Sequence, residues 1–245
     1  MVFRKVKRDL RRAYELMRAR SGHLHWWPGE TPFEVCIGAI LTQNTAWTNV
    51  ERVIANLKAA RVLVPKKLFA LPEKKLAELV RPAGYFNVKA RRLRSFLRVL
   101  VKDFGGDLRR LFAGKTSAVR TRLLAIHGIG PETADSMLLY AGGHHSFVID
   151  AYTKRIFQRH EWSPKSTRLR SATTRRVVQS LKSSASYDDL KMFCELALNQ
   201  KVGAARLDYW QDYHAQLVMV GKHFCRTRAP LCEQCPLKPL LPKIK

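Results

Sequence analysis

The chain has 245 residues, 46% of them hydrophobic, enough for one large domain or two modest ones around a sizeable core. No apolar run approaches the roughly 18 residues of a membrane-crossing helix, and the basic start lacks the apolar stretch of a secretory signal, so no membrane partner is expected. Lys and Arg number 45 against 19 Asp and Glu; a net charge of +26 spread along the chain points to a polyanionic nucleic acid rather than a membrane surface.

In chain order, the first segment reads as an amphipathic helix with Val6, Leu10, Tyr14 and Met17 on one side. A helix over 33–41 is entered through Thr31 and Pro32, a start signal because proline at the first helical position forfeits no hydrogen bond. Further helical patterns cover 48–57, 74–80, 89–104, 118–126, 131–140, 151–160 and 186–198. The longest of these carries Leu93, Phe96, Leu97, Leu100 and Val101 on one face. Alternating β-branched runs are nearly absent, so the fold class is all-α with short loops. From Ala229 onward stand four of the eleven prolines, and that tail should be irregular.

The five cysteines are Cys36, Cys194, Cys225, Cys232 and Cys235. An odd number without a secretory signal argues for a reducing cytoplasm rather than a disulfide framework. Cys36 falls on an apolar helix face and reads as core. The last three crowd together and ask for another explanation.

The segment 124–135 holds Gly128, Ile129 and Gly130 between two helical stretches, followed by Pro131 and Glu132. Glycines there permit positive φ and a close backbone approach, and amides at a helix start suit a phosphate. By itself, such a turn is equally a helix-helix corner. Asp150 follows Glu132 by 18 residues, at the end of Phe147-Val148-Ile149-Asp150. It suits the N-cap of the helix beginning at Ala151, and an N-capping carboxylate can also serve chemistry.

Together, the hairpin and Asp150 resemble the endonuclease III superfamily of helix-hairpin-helix DNA glycosylases. The resemblance implies a two-domain all-α fold with a central cleft. It would place a helical-barrel domain over 30–145, with the hairpin at about 118–140, and a second helical domain from 1–29 plus 146–245. It implies that Gly128, Ile129 and Gly130 grip the DNA backbone and that Asp150 is the catalytic carboxylate. Members that also cleave the backbone carry a lysine where Glu132 stands; glutamate cannot form a Schiff base, so Glu132 implies a glycosylase that uses water.

Within that superfamily, Trp26-Trp27-Pro28, the stretch from Leu41 to Trp47 and the stretch from Val80 to Ala90 resemble the 3-methyladenine DNA glycosylase III type. This implies a base pocket of Trp26, Trp27, Pro28 and Trp47, with Lys222 beside it and Glu132 contacting the base. Gln43 resembles the residue that fills the gap left by the flipped base. Electron-rich indole faces would favour a cationic alkylated purine, by roughly 0.5–2 kcal/mol each. Their alternative is core packing, and that of Lys222 a solvated surface.

Cys225, Cys232 and Cys235 have the spacing of three ligands of the superfamily's 4Fe–4S cluster, but the fourth would fall on Leu241. A cluster with a non-cysteine fourth ligand, a three-cysteine zinc site and a vestige without metal all stay open. The expected function is excision of alkylated purines from damaged double-stranded DNA by a cytoplasmic, nucleoid-associated monomer. The competitors are a glycosylase for oxidised pyrimidines with lyase activity and a non-catalytic helix-hairpin-helix DNA-binding protein.

Overall fold

The computed structural model describes residues 2–26, 29–162 and 185–242. Two compact units divide the chain, one formed by Met1–Trp26 with Phe147–Lys245 and the other by Trp27–Ser146. Among the described residues the regular elements are all helical. None of these helices is long and apolar enough to cross a membrane.

The contiguous unit contains α2 (Pro32–Leu41), α3 (Trp47–Ala59), α4 (Pro65–Ala70), α5 (Glu73–Leu79), α6 (Phe86–Phe104), α7 (Leu108–Leu111), α8 (Thr116–Leu124) and α9 (Pro131–Ser136). Helix α2 is buried at every position after its first proline and runs through the core. Its start follows the predicted signal: Thr31 Oγ1 accepts the Glu34 amide at 3.2 Å. Helix α6 buries Leu93, Phe96, Leu97 and Leu100 as its pattern requires, whereas Val101 is only half-buried. Lys89 on the same helix is 1% exposed and donates to the Ala83 carbonyl at 2.6 Å, clamping the preceding turn. Burial, reinforced by the nearby Arg92 charge, pushes its amine down to about 8.

The predicted helix over 131–140 begins at Pro131, but its α-helical part stops at Ser136 and continues as a π-helix over Met137–Ala141. Such wide turns are rare and recur beside functional sites. Here the π segment packs on α2 and α9.

The other unit contains α1 (Val2–Ser21), α10 (Ala151–Arg159), α11 (Tyr187–Ala197) and α12 (Gly203–His223). Val6, Leu10 and Met17 of α1 are buried. Tyr14 donates to Asp212 on α12 at 2.7 Å. The buried Asp212 carboxylate also accepts the Leu24 amide at 2.9 Å, so α12 anchors the chain beyond α1. Helix α12 is absent from the sequence-predicted elements. Its buried face mixes Tyr209, Trp210, Tyr213 and Leu217 with Asp212, His214 and Gln216, which blurs the apolar periodicity. Among the described residues, the tail beyond α12 has only short 3₁₀ turns, at Cys232–Gln234 and Lys238–Leu240.

Candidate functional site

Asp150 is the N-cap of α10. Its backbone is extended and its Oδ1 accepts the Thr153 amide at 2.7 Å. A carboxylate in this position satisfies one of the unpaired amides of the first turn and meets the positive end of the helix dipole. The side chain is nearly buried, with the residue 9% exposed, and the His214 ring of α12 approaches its other oxygen, Nε2 to Oδ2 at 3.7 Å. Burial opposes ionisation, but His214 and the Thr153 amide outweigh it and hold the carboxyl below the usual carboxylate range. A desolvated carboxylate that stays ionised can stabilise developing positive charge on a sugar or orient a water.

His214 was invisible to motif reading. It belongs to no local pattern and gains its place only because α12 packs against α10. Trp26, half-buried, is a neighbour of His214, its ring 6.1 Å from that of His214 and tilted by 45°. Trp27 and Pro28 lie outside the described residues. Lys222 is exposed in the last turn of α12, eight residues and so about 12 Å along the helix from His214.

In the contiguous unit the hairpin consists of α8, a turn and α9. Gly128 has φ +87, which favours glycine. Gly130 is different: its backbone is extended, and a Cβ there would meet nothing within 4 Å. Its use is open space at the start of α9, not an unusual dihedral. Ile129 is buried and its amide donates to the Ile126 carbonyl at 3.0 Å, so its side chain secures the turn from inside. Glu132 stands exposed in the first turn of α9.

Gln43, just past α2, is tied to this hairpin. Its Nε2 donates to the Gly128 carbonyl at 3.1 Å and to Thr133 Oγ1 at 2.9 Å, and its Oε1 accepts from Arg92. A methyl group on Gly128 would stand 2.3 Å from Arg92 Cγ. Gly128→Ala should therefore strain the left-handed backbone and push Arg92 off Gln43. We expect a loss of about 2–3 kcal/mol in urea unfolding, from the sum of dihedral and overpacking costs. An unchanged midpoint would refute this account of the turn. Trp47, at the first position of α3, is half-buried and packs against the core of this unit.

In the tail, Cys225, Cys232 and Cys235 line one cavity together with Arg159, His160, Phe224, Lys238 and Leu241. All three are free thiols. Arg159 donates to Cys225 Sγ at 3.1 Å. Among the described residues no three His, Cys, Asp or Glu side chains converge closely enough to hold a single metal ion. Cys36 and Cys194 are buried and reside elsewhere, Cys36 on α2 and Cys194 on α11.

Residues 37–182 match the model of a family described as HhH-GPD superfamily base excision DNA repair protein. A candidate DNA repair glycosylase of Methanocaldococcus jannaschii is 42% identical over 226 residues, which is 92% of either chain. The crystal structure of a Helicobacter pylori 3-methyladenine DNA glycosylase bound to 1,N6-ethenoadenine superposes with a TM-score of 0.68 and 27% identity, over 89% of this chain and 97% of that one. A non-covalent endonuclease III–DNA complex superposes with a TM-score of 0.72 over 96% and 94% of the two chains, at 19% identity, a likeness of fold.

Proposed function

Because the chain belongs to the HhH-GPD superfamily of base excision DNA repair proteins, we propose that it is a monofunctional DNA glycosylase that releases alkylated purines of the 3-methyladenine type from double-stranded DNA. The observation that carries the chemistry is the nearly buried Asp150 carboxylate, kept ionised at the start of α10 beside His214. As the glycosidic bond breaks, positive charge grows on the sugar, and Asp150 stabilises it or aligns the attacking water. Alkylation at a ring nitrogen makes the purine cationic, so the base leaves without strong acid catalysis. Trp26 and Trp47 are the aromatic faces assigned to that base, and Gln43 is the residue assigned to the gap in the duplex. The hairpin turn at Gly128, Ile129 and Gly130 is assigned to the backbone phosphates.

The absence of lyase activity follows from Glu132 in the first turn of α9, where members that cut the backbone carry lysine. The buried Lys89 does not replace it, since its amine is spent on the Ala83 carbonyl. The similarity to a 3-methyladenine glycosylase supports the alkylated-purine reading. A panel of duplexes carrying single lesions, together with methylated genomic DNA, should yield free 3-methyladenine, and borohydride should trap no protein–DNA adduct. Release of oxidised pyrimidines with a trapped adduct would replace this reading by the lyase alternative.

The three cysteines of the tail fit an iron–sulfur cluster to the extent that they line one shared cavity, where Arg159 donates a hydrogen bond to Cys225 Sγ. Such a cluster, when bound, would cross-link the turns of the tail and supply a centre for one-electron transfer. Cys225, Cys232 and Cys235 would hold it.

A further inference from the structure

The tail motif supplies three thiols where four ligands are needed, and the position expected to supply the fourth is Leu241, which lines the cavity with an inert side chain. The same cavity is lined by His160, far from the cysteines in sequence and brought to them as the residue that ends α10. Its ring is nearly buried and stacks on Trp162, centroids 4.5 Å apart and planes 27° apart, which fixes its plane. Its Nδ1 is 3.1 Å from the Leu240 carbonyl oxygen. A carbonyl only accepts, so Nδ1 carries the hydrogen. In the neutral ring Nε2 then holds the lone pair. Histidines that bind metal are commonly oriented in this way, by donating the other ring N–H to a carbonyl or carboxylate.

We propose that the cavity holds a 4Fe–4S cluster ligated by Cys225, Cys232, Cys235 and, through Nε2, His160. The inference rests on the cysteine-tail reading above and adds the fourth ligand to it. Two features favour a cluster over zinc. A tetrahedral zinc site needs its donors about 2.0–2.3 Å from one point, hence all within about 4 Å of one another. The cysteines and His160 line one cavity, and among the described residues they do not converge on one ion. A cubane spreads its ligands over four separate irons and suits that arrangement. The guanidinium of Arg159 on Cys225 is also the kind of hydrogen bond to sulfur that tunes such clusters.

The test uses the full chain, purified without oxygen. Wild type should contain about four irons and four acid-labile sulfides per chain, with broad absorption near roughly 400 nm. After reduction, pulsed electron paramagnetic resonance should show hyperfine coupling to a histidine nitrogen. His160→Ala should retain about three irons and lose that coupling. His160→Cys should keep four irons without it. Leu241→Cys in the His160→Ala background should restore the fourth iron. A wild-type cluster with no nitrogen coupling, or His160→Ala with four irons and an unchanged spectrum, overturns the role of His160 and spares the cysteine reading. Wild type with no iron, or with one zinc and no sulfide, overturns both. The wild-type spectrum decides the matter even if His160→Ala fails to fold.

Discussion

Asp150→Asn should lower base release by at least about 100-fold while changing DNA affinity by no more than a few-fold. Removing one preorganised group that stabilises transition-state charge costs roughly 2.7–4 kcal/mol in comparable sites, or about 10² to 10³ in rate. The substitution is nearly isosteric. Asparagine caps helices as well as aspartate does, and its carbonyl oxygen can keep the 2.7 Å bond from the Thr153 amide. What disappears is the negative charge beside His214. Single-turnover release of 3-methyladenine and binding to an undamaged duplex separate the two effects. Release within a few-fold of wild type would remove Asp150 from the chemistry and reduce it to a helix cap. The variant should also differ in acid. The folded-state pKa of Asp150 is depressed, so its ionisation stabilises the fold above the unfolded value of about 3.9 and that stabilisation is lost as pH falls through the lower folded value. Asp150→Asn lacks that term, and its stability should fall less steeply than that of wild type below about pH 4.

Asp135→Ala should destabilise the protein by roughly 3 kcal/mol, read from the urea midpoint. Asp135 of α9 is fully buried. Its two oxygens accept from Arg120 of α8 at 2.9 and 3.1 Å, and Ser146 donates to it at 2.6 Å. This fork joins the two helices of the hairpin. Taking away one partner of a buried ion pair costs about 3–5 kcal/mol, because the remaining charge keeps its desolvation without its compensation. The Arg120 side chain is 19% exposed and recovers some hydration, which sets the expectation near the lower end. Asp135→Asn retains an acceptor and should cost less. A loss below about 1 kcal/mol for alanine would mean that water replaces the carboxylate and that the hairpin does not depend on this pair.

Much of the architecture was readable because its causes are local. The stripe on α1, the proline start of α2 and the long apolar face of α6 follow from periodicity and capping over a few neighbouring residues. Asp150 as an N-cap is likewise a statement about four consecutive residues. The need for glycine at 128 was legible in the turn, whereas Gly130 proved to have an ordinary extended backbone. Helix α12 escaped because a buried helix that carries Asp212, His214 and Gln216 breaks the apolar rhythm from which helices are read.

The sequence by itself determined an all-α chain, its positive charge, the hairpin, the position of one carboxylate at a helix start and three cysteines in a row of ligand spacing. Tertiary structure alone decided which distant side chains meet these features. His214 reaches Asp150 because α12 packs on α10, Gln43 closes on Gly128 from 85 residues away, and His160 joins the cavity of the cysteines. Spacing along one helix fixes which residues share a face, because the backbone sets that geometry over a single turn. No comparable rule links residues on different helices, whose meeting depends on how whole apolar faces pack.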